Sequence, residues 1–291
     1  MEVLSLRNQF LHAEVLPACG GGLARLDWIA GGAVQHVMRA CDGVGPSTTS
    51  TLACFPLLPW SNRMGGAGFT FDGHAYRVAP NRAGEPCPIH GDGWQYAWEV
   101  ENHSGEAISL TLDRRAGDPF SYRARLDYAL QGDTLNVSME VRNTGARALP
   151  FGLGLHPWLP RSADVLLRAP ASGTWQRGAD GLPVEATAIP EAWDFAHAHA
   201  LPSDGIDNVF SGWAGAAEIV WPARGLRLSV NADMGYYIVY APAVADFFCF
   251  EPVDHAINAF NLPGGSEQHG MTVLAPGEAL RRQVAFRISA T

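Results

Sequence analysis

Positive charge, long apolar runs and helical spacing are all scarce in this 291-residue chain. Lysine and arginine together number 20 against 29 aspartates and glutamates, a formal net charge of −9, and no basic cluster stands out. Nucleic acids and anionic membrane surfaces reward clustered cations, so both are set aside as partners, and a neutral small molecule fits better. No apolar stretch approaches the roughly 20 residues that cross a bilayer. The opening MEVLSLRNQFLHAEV has no basic segment followed by an apolar core, so a cytoplasmic location is expected. The five cysteines (Cys19, Cys41, Cys54, Cys87 and Cys249) are odd in number and show no C-x-x-C spacing. They read as buried reduced thiols, not as a disulfide framework or zinc site. Without a glycine-rich phosphate loop opening a helix, or a G-x-S-x-G elbow, nucleotide binding and serine-hydrolase chemistry lose support.

What is present is alternation. A hydrophobic content of 47% with 17% charged residues describes a globular chain with a large core. Residues 122–130, YRARLDYAL, and 134–142, TLNVSMEVR, alternate apolar and polar side chains with period two and are bounded by turn formers, which predicts a hairpin. Similar runs occur in FTFDGHAYRV, GLRLSVNAD, YYIVYAP and RRQVAFRIS. The 32 glycines and 20 prolines fall between these runs instead of gathering at a seam. The expectation is one all-β domain over residues 1–291, a sandwich of two large, mostly antiparallel sheets. The span from Ala169 to Asp207 is the least regular, and SGTWQRGADGLP within it reads as a surface loop.

Five places set a polar or titratable side chain beside rigid punctuation: Asn62–Arg63 before a glycine-rich turn, His90 in CPIHGDGW, His156 in FGLGLHPWLP, Asp207 in GIDNVF, and Glu251 in FFCFEPVDHAINAFN. Glu251 is the oddest. It emerges from an aromatic run, where an unpaired carboxylate is costly, so it needs either a partner or a raised pKa. Each residue alone also fits a structural role, a buried histidine bonded to backbone or a strand-end ion pair. Together they form a set for proton transfer on a hydroxylated ligand. His197 and His199 have a spacing seen in metal sites, but no third ligand accompanies them, so no metal is expected. Trp60 and Trp158 adjoin the arginine and histidine motifs, where either could flank a sugar ring.

Taken in order, these motifs resemble the aldose 1-epimerase family, the galactose mutarotases. The likeness runs from N-x-x-L-x-A-E-V-L-P-x-x-G-G through Asn62–Arg63, G-x-F-T-F-D-G-x-x-Y, I-H-G, G-L-H-P-W, I-D-N-V-F, and C-F-E-P with A-I-N-A-F-N, to the closing G-M-T-V-L-A-P-G-E. It implies a β-supersandwich that interconverts the α and β anomers of a free hexose or pentose without a cofactor or metal. By the same resemblance, Glu251 matches the general base and His156 the general acid. Arg63, His90 and Asp207 match sugar-binding residues, with Asn62 beside them as a further contact. Two departures stand out: AVADFF follows directly where larger members insert a segment carrying a sugar-contacting glutamine, and H-P-W-L replaces a histidine followed by an aromatic pair. A sugar-phosphate 1-epimerase would need extra cations, for which Arg77 and Arg82 are available. A non-catalytic carbohydrate-binding protein of the same fold is the other alternative. A glycosidase normally needs two carboxylates, whereas the pair here is His and Glu. Monomer and homodimer both remain open.

Overall fold

The structure, a computed structural model, describes residues 2–41 and 51–291. Its architecture follows from the period-two runs. Strands Tyr122–Gln131 and Thr134–Asn143 pair antiparallel in unbroken register from Tyr122 with Asn143 to Gln131 with Thr134. Every second residue of the first strand, Tyr122, Ala124, Leu126, Tyr128 and Leu130, is buried. The two-residue turn between them places Gly132 at φ 58°, in the left-handed region that tight hairpins require. FTFDGHAYRV behaves likewise: strands Gly68–Phe71 and His74–Arg77 are joined by Asp72 and Gly73 at φ 47° and 72°, both positive as a type I′ turn demands.

Two large antiparallel sheets carry the fold. One has nine strands, running from His199–Ala200 through Leu166–Arg168, Ala216–Trp221, Leu226–Ala232 and Ala279–Ala290 to the long hairpin, then Ala107–Arg114 and Glu99–His103. The other has eight: Pro183–Thr187, Gly173–Arg177, Ile206–Ser211, Tyr236–Ala241, Phe247–Val253, Gly154–Leu155 and Pro56–Leu57 in order, with Trp158–Pro160 paired off the path to Phe247–Val253. A four-stranded sheet opening at Leu4–Arg7 and two small ribbons complete the structure. The helical segments among the described residues are short 3-10 turns such as Gly93–Gln95 and Ser266–His269.

One contiguous core joins the large sheets, taking Leu126, Tyr128, Val137 and Met139 from the first and Phe210, Tyr237, Phe248 and Phe250 from the second. Tyr237 stacks on Phe210 at 4.7 Å and on Phe250 at 4.9 Å. Burying such rings contributes the largest apolar areas any side chains offer. The other face of the eight-stranded sheet holds a second, smaller cluster containing Val209, Ile238 and Val253 with Trp175. Cys249 and Glu251 alternate with Phe248 and Phe250, so they fall on this second face. The site is built there.

Two expectations need correction. SGTWQRGADGLP is only partly loop, because its Gly173–Arg177 part is a strand that pairs on one side with Pro183–Thr187 and on the other with Ile206–Ser211. The edge of the sheet is the next strand, Pro183–Thr187, whose residues after Pro183 are exposed. Of the five cysteines only Cys54 and Cys249 are buried; Cys19, Cys41 and Cys87 are half-buried, and none of the five forms a disulfide.

Candidate active site

Three adjacent strands place the first wall. Register sets Asp207 opposite Tyr240, Tyr240 opposite Cys249, and Ile238 opposite Glu251, which puts these side chains on one face of the sheet. Loop segments 58–63 and 82–90, with His156 and the strand residue Trp158, complete the enclosure. The resulting cavity measures about 370 Å³, and Asn62, Arg63, His90, His156, Asp207 and Glu251 all line it, together with Arg82, Glu85, Trp158 and Tyr240. Thus all six residues singled out by sequence converge on one cavity. A larger depression, about 620 Å³, lies on the nine-stranded sheet among Asp127, Asn136, Asn231 and Gln283, with no histidine or arginine in its wall. It offers no opposed acid and base.

At the heart of the cavity the imidazole Nε2 of His156 lies 3.3 Å from Oε1 of Glu251, and both residues are buried. The ring of His156 stacks on Phe55 at 4.6 Å and on Trp158 at 5.2 Å, which holds its plane. Arg39 sits 4.0 Å over the Trp158 ring. Burial pushes the Glu251 carboxyl well above its usual 4.5; the negative field of Asp207 adds to this and Arg63 opposes it. Burial likewise brings His156 down to about 3, with Arg82 and Arg39 contributing in the same direction. Both shifts disfavour charge, as expected in a dry pocket. Burial thus favours the protonated carboxyl of Glu251 and the neutral imidazole of His156. Neither Glu251 Oε2 nor His156 Nδ1 has a hydrogen-bond partner among the described residues.

The surrounding groups are fixed by local structure. Asn62 and His90 sit at φ 54° and 64°, and the strained pair is tied together: His90 N–H donates to the Asn62 carbonyl at 2.9 Å, while Asn62 N–H donates to His90 Nδ1 at 3.1 Å. An accepting Nδ1 assigns the proton of the neutral ring to Nε2. Burial, followed by His156, Arg82 and Arg63, holds His90 well below 6.5, so it stays neutral and can donate. The side-chain oxygen of Asn62 is engaged by the Arg63 N–H at 2.9 Å. His255, buried beneath this loop, accepts the Ser61 N–H through Nε2 at 3.0 Å. Gly152 must lack a side chain here, since a Cβ would stand 2.2 Å from the His255 ring.

Two partners had no signal in the sequence. Arg63 is gripped in bidentate fashion by Glu85, Nε to Oε1 at 2.9 Å and Nη2 to Oε2 at 3.0 Å. Asp207 is paired to Arg177 at 2.8 Å. Trp60 is a core residue, 5.3 Å from Phe120, and does not line the cavity; Trp158 does. Arg82 stands exposed at the cavity wall, whereas Arg77 does not line it. Among the described residues the grouping with the spacing to hold a metal is His156, Cys249 and Glu251, and it does not include His197 or His199.

Comparison with known proteins places this geometry. The sequence profile of the aldose 1-epimerase family matches residues 2–287. The chain belongs to the aldose 1-epimerase family. It is 35% identical over 246 residues to the uncharacterized protein YphB of Escherichia coli K12, covering 81% of this chain and 83% of the relative. It is 26% identical to the uncharacterized protein YihR of the same organism, with 89% and 86% covered. Among solved structures it superposes on a candidate aldose 1-epimerase from E. coli K12 with a TM-score of 0.91 at 30% identity, covering 100% and 99% of the two chains. The Caenorhabditis elegans GalM/aldose epimerase homologue shares the fold, with a TM-score of 0.83 at 17% identity and 100% and 99% covered. No helix among the described residues is long and apolar enough to cross a membrane.

Proposed function

We propose that the chain is, over its whole length, a mutarotase that opens and recloses the ring of a free hexose or pentose. Glu251 acts as base and His156 as acid. The observation that carries this reading is the buried His156–Glu251 contact at 3.3 Å on the wall of a polar cavity of about 370 Å³. Opening a hemiacetal ring requires a proton to leave the O1 hydroxyl while another reaches the ring oxygen. Either transfer alone builds charge, and two positioned groups avoid that, each contributing on the order of 10²–10⁴-fold.

The reaction needs one proton on the pair. With it on His156, the carboxylate of Glu251 takes the O1 proton, the C1–O1 bond becomes a carbonyl, and the C1–ring-oxygen bond breaks with its electrons going to the oxygen. His156 then protonates that oxygen. Rotation about C1–C2 presents the other carbonyl face, and the steps reverse. Burial by itself favours the proton on the carboxyl; sugar hydroxyls donating to Glu251 would stabilise the carboxylate and favour transfer to Nε2. His90 Nε2–H and the Arg63–Glu85 and Asp207–Arg177 pairs supply oriented donors and acceptors for the remaining hydroxyls.

A neutral sugar suits this cavity better than a phosphorylated one. Glu85, Asp207 and Glu251 place three carboxylates on its wall, and the Arg63 fork is already engaged by Glu85. Polarimetry of freshly dissolved α-D-glucose, α-D-galactose, xylose and arabinose tests the proposal. Acceleration over the spontaneous rate supports it and ranks the sugars, and no acceleration with any of them overturns it.

A further inference from the structure

The mechanism leaves two buried thiols unused, Cys54 and Cys249. Cys249 is fully buried two residues before Glu251 on the same strand face, and the donor atoms of Cys249, Glu251 and His156 all lie within 4.8 Å of one another. Thiolate, imidazole and carboxylate form a mixed donor set, soft, borderline and hard, all three of which zinc accepts in tetrahedral sites. Zinc bonds of about 2.3 Å to sulfur and 2.0–2.2 Å to nitrogen and oxygen place tetrahedral donors roughly 3.5 Å apart. The His156–Glu251 edge, at 3.3 Å, already has that length, so the closing movement falls on Cys249. His156 and Glu251 line the cavity, which gives the ion access from solvent and leaves a fourth position for water. The unpartnered Glu251 Oε2 and His156 Nδ1 show that this carboxylate and this ring are not locked into a structural network among the described residues.

We propose that a thiophilic divalent cation, zinc being the type, binds between His156, Cys249 and Glu251 and blocks the active site. The blocking half of this proposal rests on the mutarotase reading, because it withdraws the acid and the base together. Binding expels the Cys249 thiol proton to the buffer, together with any proton the His156–Glu251 pair holds. Affinity therefore rises with pH. Burial keeps the Cys249 thiol well above its usual 9, so it stays protonated and inert until a metal displaces its proton.

Cobalt(II) titration of the reduced full-length protein tests the site directly. One equivalent should produce a thiolate-to-cobalt charge-transfer band in the near ultraviolet with the intense visible bands of tetrahedral cobalt. Zinc should abolish both. Cys249→Ser, with Cys249→Ala as a second variant should the serine impair folding, should lose the charge-transfer band and bind at least tenfold more weakly while keeping its basal mutarotation. Zinc should inhibit the wild type reversibly, with chelator restoring activity, and the Cys249 variants should need at least tenfold more. Absence of the band, or its persistence in folded Cys249 variants, which would place the ligand at Cys19, Cys41, Cys54 or Cys87, overturns the site. The band is read without turnover, so an inactive protein that gives it refutes the mutarotase reading and the blocking role but keeps the metal site.

Discussion

Acidification should weaken the loop that carries Arg63, and His255 allows the effect to be sized. Burial holds this ring at about 4, against 6.5 for an ordinary histidine, with a backbone bond to Ala256 opposing the shift. The neutral ring accepts the Ser61 N–H at 3.0 Å, a bond that protonation would destroy. A histidine depressed in the folded state stabilises fully above its unfolded value of 6.5, and that stability is lost as pH falls toward 4. At about 1.4 kcal/mol per pH unit, the total is about 3 kcal/mol, of which about 2 kcal/mol disappears between pH 7 and pH 5. Urea unfolding of wild type and His255→Gln at both pH values isolates it, because glutamine can accept the same N–H but does not titrate. His90 and His156 act in the same sense, and Asp254, raised to about 6 by burial, acts in the opposite sense; all three are common to both proteins and cancel in the comparison. Wild type should lose about 2 kcal/mol more than the variant over this interval. Equal losses would refute the assignment of His255 as a buried neutral acceptor.

Other expectations concern the site and its frame. His156→Asn should lower kcat by on the order of 10²–10⁴-fold with an unchanged unfolding midpoint; a kcat within a few-fold of wild type would remove His156 from the acid role. Activity requires one proton on the His156–Glu251 pair, so the pH–rate profile should hold its plateau well below 6.5 and fall at high pH only above the ordinary carboxylate range; an acid limb centred near 6.5 would contradict the burial of His156. Arg63→Ala should raise KM more than it lowers kcat, and an unchanged KM would count against a binding role. Gly152→Ala should destabilise by about 1–3 kcal/mol, since its Cβ would meet the His255 ring at 2.2 Å, and a neutral result would mean that the ring can move aside.

The contrast between Glu251 and Glu85 shows what a sequence can reveal of such a site. Glu251 is legible because a charge inside FFCFEPV violates the local apolar pattern. The long hairpin is legible because both strands alternate cleanly around a two-residue turn. Glu85, in an exposed loop 22 residues beyond Arg63, violates no pattern, and only the folding of that loop over the sheet brings it to Arg63. Arg177 escaped for a related reason: its short strand, GTWQR, shows no clear apolar alternation, so pairing with Pro183–Thr187 and Ile206–Ser211, not composition, makes it a strand. Cys249 is visible only as one apolar letter in a buried run until register and period place it on the face of Glu251.

The most direct test of the central claim is the exchange rate between the α and β anomers at equilibrium, read by NMR from the anomeric protons of the sugar that polarimetry ranks first. It should be measured with wild type and with Glu251→Gln. Wild type should speed exchange well beyond the spontaneous rate, and the variant should lose at least 100-fold of that acceleration while still binding the sugar and unfolding at the same urea concentration. A variant that keeps exchange within a few-fold of wild type would show that Glu251 is not the base and that the buried pair with His156 does not carry the reaction.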